Sequence, residues 1–171
     1  MKYFLGLGSN LGDPEKNLAR GVSRLKKKGL KILASSSVYR TEPLGFAGQP
    51  WFLNQVIEVE ANCSPWELLE MTKSIEKKMG RRSTFLNGPR IIDIDILLAE
   101  ETIVQTENLS VPHLRLAERN FVLVPLGEIA RRAVHPVLKK TIKDLLRCST
   151  DRARVFLYRK QIRRRNERPD L

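Results

Sequence analysis

Apolar positions at the start of the chain predict a strand followed by a helix. Residues 2–7 are apolar and rich in Tyr, Phe and Leu, and they stop at Gly8, which indicates a core strand ending in a tight turn. Asp13 before Pro14 indicates a helix N-terminus with proline at the first helical position. Apolar side chains then recur at helical spacing until Gly29, which suits the left-handed residue that ends a helix.

A second strand–helix unit follows the first. Residues 30–39 predict one strand, and residues 52–61 alternate between apolar and polar side chains as a half-buried strand does. The Gly- and Pro-containing stretch between them predicts a loop. Ser64 with Glu67 three residues later is a capping box, and it predicts a helix that ends at Gly80.

The strongest strand pattern in the chain covers residues 91–98. These residues are β-branched or Leu apart from two aspartates, which predicts a central strand. Beyond residue 102 the pattern predicts a short strand, an irregular stretch around His113, a helix through 121–130 and a last short helix over 141–146. Strands that alternate with so few helices indicate an α+β sandwich, with helices packed on a mixed sheet.

The composition allows one domain. The chain has 171 residues, 42% of them hydrophobic, and we expect a single domain over residues 1–150. No apolar segment approaches the length of a membrane span, so we expect a cytoplasmic protein without a membrane partner. We also expect a monomer. Cys63 and Cys148 have neither metal-ligand spacing nor histidines around them, which predicts two free thiols.

The charge indicates an anionic partner. A net charge of +12 suits nucleic acid, an anionic surface or a nucleotide. Residues 151–171 hold eight basic and three acidic residues, and we interpret them as a solvated, frayed basic tail, with a nucleic-acid- or partner-binding arm as the alternative. A basic nucleic-acid-binding protein is the matching alternative function, and it predicts salt-sensitive binding that survives Asp93→Ala.

Two aspartates interrupt the strongest strand. Since side chains alternate along a strand, Asp93 and Asp95 project from the same face, with Cα atoms roughly 7 Å apart. Two like charges in an apolar strand are costly unless a cation neutralises them or they face water. Magnesium suits such a pair, and an edge strand with a wet face is the alternative. Arg81, Arg82 and Arg90 precede the pair, and clustered arginines beside carboxylates are typical of polyphosphate sites.

The glycine-rich stretch after the first strand differs from the common nucleotide-binding fingerprints. Residues 6–12 read Gly-Leu-Gly-Ser-Asn-Leu-Gly, which is neither the Rossmann nor the Walker pattern. Nucleotidyltransferases of the polymerase-beta kind also combine Gly-Ser with a D-x-D strand, but in them the two elements are close in sequence. Here about eighty residues separate Ser9 from Asp93, which makes that a weak alternative.

Six stretches of the chain resemble the 6-hydroxymethyl-7,8-dihydropterin pyrophosphokinase family of folate biosynthesis, in the family's order and spacing. They are Gly8–Asp13, Tyr39–Gly45, Phe52–Asn54, Gly88–Leu98, Val111–His113 and Arg119–Leu126. The G-P-R-x-I-D-I-D-I stretch is highly specific. The resemblance implies a ferredoxin-like α+β sandwich that binds two Mg²⁺ ions, ATP and the pterin. It also implies transfer of the β,γ-diphosphoryl group to the pterin hydroxymethyl oxygen, which releases AMP.

The resemblance also implies a set of site residues. Asp93 and Asp95 match the metal ligands, and with Arg81 and Arg90 they make up the expected catalytic set. Residues expected around ATP are Glu76, Arg81, Arg90, Ile96, Ser110, His113 and Arg119. Residues expected around the pterin are Thr41, Glu42, Leu44, Phe52, Asn54 and Phe121. A flat heterocycle suits aromatic faces and an amide at its polar edge, although each Phe taken alone suits an ordinary core and each His a structural role.

The chain departs from the family pattern near the expected site. Asn87 stands where many members carry an aromatic residue, and Phe52 and Leu114 stand where tyrosines are frequent. The loop over residues 81–87 is also one residue shorter. We therefore expect the same reaction with altered closure of this loop over the ligands.

Overall fold

The computed structural model describes residues 1–82 and 84–161. Its strands are β1 (Lys2–Ser9), β2 (Lys31–Ser35), β3 (Val38–Thr41), β4 (Phe52–Glu60), β5 (Asp93–Leu98), β6 (Val104–Gln105), β7 (Ser110–Val111) and β8 (Val155–Arg159). Its α-helices are α1 (Pro14–Lys27), α2 (Pro65–Lys78), α3 (Asn120–Ile129) and α4 (Ile142–Arg147), and a 3₁₀ turn covers Leu116–Glu118. The α+β class predicted from the sequence is confirmed.

The main sheet has six strands, and all its pairings are antiparallel. Its order is β5-β1-β4-β3-β8, with β2 also paired to β4, while β6 and β7 form a separate two-stranded ribbon. Within the described part of the chain, no helix is long and apolar enough to cross a membrane. Both cysteines are free thiols.

Helices cover both faces of the sheet. On one face α1 and α2 bury their apolar stripes against β1, β4 and β5, in a core that includes Leu5, Leu18, Ile57, Leu68, Ile75 and Ile94. On the other face α3 and α4 pack in a second core that includes Val56, Leu97, Leu123, Leu126, Ile142 and Leu145. The central strands of the sheet are therefore covered by helices on both faces.

The predicted helix starts are confirmed at α1 and α2. The Asp13 side chain accepts a hydrogen bond from the Lys16 amide at 3.1 Å, which caps α1 ahead of Pro14. Ser64 and Glu67 form the reciprocal capping box of α2. These local signals determine where each helix begins, and thus where the adjoining strands end.

The prediction that residues 91–98 form a central strand was wrong, because β5 lies at the edge of the sheet and pairs only with β1 among the described residues. The sequence of β5 is apolar because helices cover both faces of the sheet there, and not because β5 has a neighbouring strand on each edge. The outer edge is also occupied: the Ile94 amide donates to the Glu76 carboxylate at 2.7 Å, and the Leu97 carbonyl accepts from the His113 amide at 2.9 Å. These contacts satisfy backbone groups that a neighbouring strand would otherwise pair.

The single strand predicted for residues 30–39 is two strands. The break falls at Ser36 and Ser37, whose hydroxyls take part in hydrogen bonds that a continuous strand would not make. The Ser36 hydroxyl accepts from the Val56 amide at 2.9 Å, and Ser37 donates from both its amide and its hydroxyl to the Glu128 carboxylate. Side-chain hydrogen bonds of this kind compete with the ladder, so β2 and β3 bend apart along β4.

The predicted frayed tail is also corrected where the structure describes it. Val155–Arg159 is strand β8, which extends the sheet beyond β3 with Thr41 opposite Val155. The Gln161 amide donates to the Ser37 hydroxyl at 2.9 Å. Residues 162–171, with the four remaining arginines of the predicted tail, lie outside the described residues.

Candidate active site

A cleft opens at the end of the sheet where β1 ends and β4 and β5 begin. The register places Gly8 between Asn54 on β4 and Asp93 on β5, so these residues form a row across three strands. The predicted site residues that line this cleft are Thr41, Glu42, Leu44, Phe52, Asn54, Arg90, Asp93, Asp95, Arg119 and Phe121. The structure thus brings together the whole predicted pterin set, both aspartates and two of the predicted ATP-side arginines.

Asp93 is held between two arginines. Arg81 Nη1 lies 2.5 Å from Asp93 Oδ1, and Arg90 Nη1 lies 2.7 Å from Asp93 Oδ2. Burial acts to raise the pKa of Asp93, but the positive charges of Arg81 and Arg90 outweigh it and hold the pKa below its ordinary value. Asp93 is therefore a carboxylate anion in the folded protein at neutral pH.

Asp95 occupies a different electrostatic environment two residues along the strand. Its side chain makes no hydrogen bond or ion pair with any described residue. Burial, and then the negative charge of Asp93, raise the pKa of Asp95 to about 7. A half-buried carboxylate without a cationic partner, beside a second carboxylate, is the donor set that a hard divalent cation stabilises.

The two aspartates are not part of a larger ligand cluster. Across residues 1–82 and 84–161, no three His, Cys, Asp or Glu side chains are grouped so as to hold a metal ion. Such a pair suits magnesium, because this ion is commonly bound through one or two carboxylates and completes its shell with water and phosphate oxygens. A structural zinc site would require four protein ligands.

Glu76 joins helix α2 to the start of β5. Its carboxylate is almost completely buried, at 3% exposure, and accepts from the Ile94 amide at 2.7 Å. Arg81 Nη1 lies 2.8 Å from Glu76 Oε2, and Lys73 Nζ lies 3.2 Å from the same carboxylate. Glu76 was predicted near the nucleoside, and the structure shows that its side-chain oxygens already bind protein groups.

Arg81 and Glu76 also line a second, more open pocket beside the cleft. Arg90 and Asn87 line both spaces, and the remaining lining residues are Lys73, Lys77, Arg82, Thr84, Phe85 and Leu86. This neighbouring pocket is strongly basic, with five Lys or Arg side chains on its walls. The acidic pair in the cleft thus borders a cationic space that suits an extended polyphosphate.

Two buried amides hold the start of β5 in place. Asn10 Oδ1 accepts from the Arg90 amide at 2.8 Å, while the Asn10 amide group donates to Gln49 Oε1 at 3.0 Å. Gln49 Nε2 in turn donates to the Asn87 carbonyl at 2.7 Å. Sequence reasoning assigned no role to either residue. The signal that could have found Asn10 is its polar side chain directly after a core strand, in the glycine-rich stretch.

The pterin-side wall is formed by the ends of β3 and β4. Asn54 Nδ2 donates to the Thr41 hydroxyl at 2.6 Å, which orients the amide within the cleft. The Arg90 guanidinium lies 5.5 Å from the centre of the Phe52 ring, a distance at which cation–π attraction operates. One wall therefore combines an aromatic face with an oriented amide.

The opposite wall is formed by the first turn of α3. The Arg119 guanidinium lies 5.6 Å from the centre of the Phe121 ring. Arg119 Nε is buried, and no described residue accepts a hydrogen bond from it. Burial and then the neighbouring Arg115 charge lower the pKa of Arg119 below its ordinary value. A buried guanidinium donor without an acceptor suits an anionic ligand group in the cleft.

Three further residues predicted around ATP lie outside this cleft. Ser110 and His113 line a separate apolar groove with Leu114 and His135. Burial, and then the Arg119 charge, lower the pKa of His113, so its ring is neutral at pH 7. Ile96 is only 4% exposed and lies in the core under α1 and α2, on the strand face opposite the aspartates.

The chain matches one protein-family model over residues 4–131. That model describes 7,8-dihydro-6-hydroxymethylpterin-pyrophosphokinase (HPPK). The match includes the predicted site residues from Thr41 to Phe121, and it ends within the connection that follows α3.

Curated relatives are about two-fifths identical to the chain over the aligned residues. The 2-amino-4-hydroxy-6-hydroxymethyldihydropteridine pyrophosphokinase of Bacillus subtilis is 42% identical over 130 residues, which is 75% of this chain and 78% of that protein. The Aquifex aeolicus protein of the same name is 40% identical over 141 residues, 82% of this chain and 88% of that protein. The folic acid synthesis protein fol1 of Schizosaccharomyces pombe is 42% identical over 144 residues, but the chain spans only 20% of its length.

Solved structures share the fold. Wild-type Plasmodium falciparum HPPK-DHPS with pteroate has a TM-score of 0.68 at 18% identity, covering 85% of this chain and 42% of that chain. The A437G/K540E form with pterin and p-hydroxybenzoate has a TM-score of 0.69 at 18% identity. The chain therefore spans about two-fifths of these larger proteins, and at this level of identity the likeness is one of fold.

Proposed function

Because this chain belongs to the 7,8-dihydro-6-hydroxymethylpterin-pyrophosphokinase family, we propose that it transfers the β,γ-diphosphoryl group of ATP to the hydroxymethyl oxygen of 6-hydroxymethyl-7,8-dihydropterin. AMP and the pterin diphosphate are the products, as folate synthesis requires. The observation that carries the proposal is the row of Asn54, Gly8 and Asp93 across three strands, which places the pterin-side wall next to the acidic pair.

Asp93 and Asp95 are proposed to hold two Mg²⁺ ions. Their support is the donor set itself: one carboxylate kept anionic by arginines, and one half-buried carboxylate without a cationic partner. When bound, the ions neutralise phosphate charge and help align the transferred group. The protein residues then keep the two substrates in register and limit the access of water to the reacting phosphorus.

The arginines are proposed to bind the phosphate chain. Arg81 and Arg90 lie on the metal side of the cleft, and each is at least partly accessible, at 28% and 20% exposure. Arg119 faces the cleft from the opposite wall with a buried donor that has no described acceptor. Guanidinium groups on two sides of a phosphate chain fix its orientation more strongly than single ammonium groups would.

The nucleoside is proposed to extend from this phosphate site past β5. Ser110 and His113 border the groove on that side of the strand, while Glu76 and Ile96 support the start of β5 through buried contacts. The contribution of Glu76 and Ile96 is therefore to hold the backbone of β5 in position. His113, which the resemblance implies near the ATP phosphates, contributes a neutral ring at the border of this groove.

The pterin is proposed to lie between the Phe52 and Phe121 side chains. Its flat ring system suits aromatic faces, and its amide-like edge suits the Asn54 side chain. Thr41 orients that amide, while Glu42 and Leu44 complete the wall at the end of β3. The hydroxymethyl group would then extend toward the aspartates, where the phosphate chain is expected.

The test is product analysis with both substrates. The protein is incubated with ATP, magnesium and 6-hydroxymethyl-7,8-dihydropterin, and the nucleotide product is separated by chromatography. AMP in equal amount to the pterin diphosphate is expected, and its formation should require magnesium. ADP as the product, or no turnover, would refute the proposed reaction. Asp93→Ala and Asp95→Ala should each abolish AMP formation, with Asp13→Ala, a helix-cap change outside the cleft, as the control.

The monomeric state and cytoplasmic location expected from the composition belong to the same proposal. Sedimentation of the active enzyme tests the first, because a monomer sediments as one species whose mass does not change with protein concentration. Fractionation of cells that express the chain tests the second.

A further inference from the structure

We propose that residues 151–156, which we call the C-terminal brace, hold two walls of the cleft at a fixed separation. These are the pterin-side wall at the ends of β3 and β4 and the opposite wall at the first turn of α3. Asp151 and Arg154 are the positioning residues of this brace, and the inference rests on the proposed function of the cleft. The brace follows α4 and leads into β8, and it lies after residue 131, where the family match ends. The sequence predicts a frayed tail here, whereas the structure connects residues 151–156 to both walls.

One end of the brace binds the first turn of α3. Asp151 Oδ2 accepts from the Asn120 amide at 2.7 Å, and the Asp151 carbonyl accepts from Asn120 Nδ2 at 3.1 Å. Arg119 is the N-cap residue of this helix, but its side chain makes no capping hydrogen bond. Asp151 therefore supplies the negative group at the positive end of the helix. Asn120 lies between Arg119 and Phe121, and fixing it therefore fixes the direction of both cleft side chains.

The other end of the brace binds the wall at the end of β3. Arg154 Nη2 donates to Glu42 Oε1 at 3.1 Å, and the Arg154 amide donates to Glu42 Oε2 at 3.1 Å. The Glu42 amide donates back to the Arg154 carbonyl at 3.1 Å. With a longer bond from Arg154 Nε to Glu42 Oε2 at 3.5 Å, four hydrogen bonds join this residue pair, and Glu42 lines the cleft.

Trp51 gives the brace a second contact with the same wall. The Arg154 guanidinium lies 4.9 Å from its ring centre, and the Phe156 ring stacks on it at 6.0 Å with an interplanar angle of 9°. Trp51 directly precedes Phe52, the aromatic face proposed for the pterin. Val155 lies opposite Thr41, which is itself opposite Phe52.

The length of the brace determines what it does. Three residue steps separate Asp151 from Arg154, so their Cα atoms are at most about 11 Å apart. The segment therefore ties α3 to the end of β3 across a short fixed distance. The acidic pair, Arg81 and Arg90 are held by β5 and its preceding loop, and the described residues of that region make no hydrogen bond or ion pair with the brace. Loosening the brace at Arg154 should therefore weaken pterin binding and spare ATP binding, whereas loosening it at Asp151 should also release Arg119 on the phosphate side.

The test measures the KM of the pterin and the KM of ATP separately. Arg154→Ala and Asp151→Ala are compared with Arg152→Ala, an exposed arginine of the same segment whose side chain makes no hydrogen bond or ion pair with a described residue. AMP release gives kcat and the KM of each substrate. For Arg154→Ala we expect the pterin KM to rise about fivefold, with the ATP KM unchanged within about twofold. Asp151→Ala should raise the pterin KM as well, together with the ATP KM, because Asn120 also directs Arg119. Arg152→Ala should match the unmodified protein.

Different results would refute the proposed reaction and the proposed role of the brace. Absence of AMP formation by the unmodified protein would refute the proposed reaction. Normal turnover with an unchanged pterin KM in Arg154→Ala, or with both KM values raised equally, would refute the brace alone. Arg154 has an exposed side chain, so its variant decides the question even if Asp151→Ala does not fold. Equilibrium binding of the pterin, followed by fluorescence, should show the same selective loss without turnover.

Discussion

Gly8 lies so close to Asn54 that a Cβ added to Gly8 would stand 2.6 Å from Asn54 Oδ1. The same Cβ would lie 3.9 Å from the Phe52 ring. Gly8 is in strand β1, where a glycine is not needed for a turn, so the close approach of the amide explains its presence. The missing side chain leaves room for Asn54 to remain hydrogen-bonded to Thr41 while facing the cleft.

We predict that Gly8→Ala impairs pterin binding far more than stability. The new methyl group would displace the end of the flexible Asn54 side chain, breaking its contact with Thr41 and reducing space in the cleft. We expect the pterin KM to rise about tenfold, which corresponds to the loss of one well-placed hydrogen bond. Gly127→Ala is the matched control, because its Cβ would make only ordinary contacts, the nearest at 3.6 Å. Equal KM values for the two variants would contradict this account.

Local sequence patterns predicted most of the secondary structure, because helix caps and strand alternation depend on interactions between residues close in the sequence. The caps at Asp13 and Ser64 and the alternation in β4 depend on residues within a few positions of each other. The edge position of β5 depends instead on Glu76 and His113, which approach it from helix α2 and from beyond β7. No local pattern shows that an apolar strand is buried by helices rather than by neighbouring strands.

The candidate site was predictable to a similar extent. Strand alternation predicted the common face of Asp93 and Asp95, and the family resemblance supplied the pterin set that the structure places in the same cleft. Gln49 and Asn10 were missed, because their contacts join loops far apart in the sequence. The brace at Arg154 was missed for the same reason, since a basic C-terminal run has the composition of a solvated tail.

We predict that Glu76→Ala destabilises the fold by about 3 kcal/mol, because it leaves the buried Ile94 amide without an acceptor and removes the carboxylate between Arg81 and Lys73. Urea unfolding monitored by circular dichroism measures the change in free energy. Lys73→Ala is the control, since Lys73 is half-exposed at 49% and its loss should cost less than about 1 kcal/mol. A similar decrease in the free energy of unfolding for both variants would show that the buried contacts of Glu76 with β5 do not stabilise the fold.

We predict that Asp95→Asn stabilises the magnesium-free protein at high pH. The pKa of Asp95 is raised to about 7 in the folded state from an ordinary value of 3.8, so the folded protein binds more protons than the unfolded chain between these values. Its contribution to stability therefore falls as pH rises through this window. The variant should gain about 4 kcal/mol at pH 8 and little at pH 4. Urea unfolding at both pH values measures this, and an equal effect at both would contradict the raised pKa.

The raised pKa of Asp95 also predicts that magnesium binding releases a proton near neutral pH. Magnesium binds the deprotonated carboxylate, so below pH 7 each unit of pH should weaken the affinity by up to about tenfold, while above pH 8 the affinity should level off. Calorimetric titration with magnesium alone, in two buffers of different ionisation enthalpy, measures the protons released without interference from nucleotide phosphates. About half a proton is expected at pH 7 and close to none at pH 8.5. Residual magnesium binding to Asp95→Asn should release no proton, and release from that variant would assign the titration to another group.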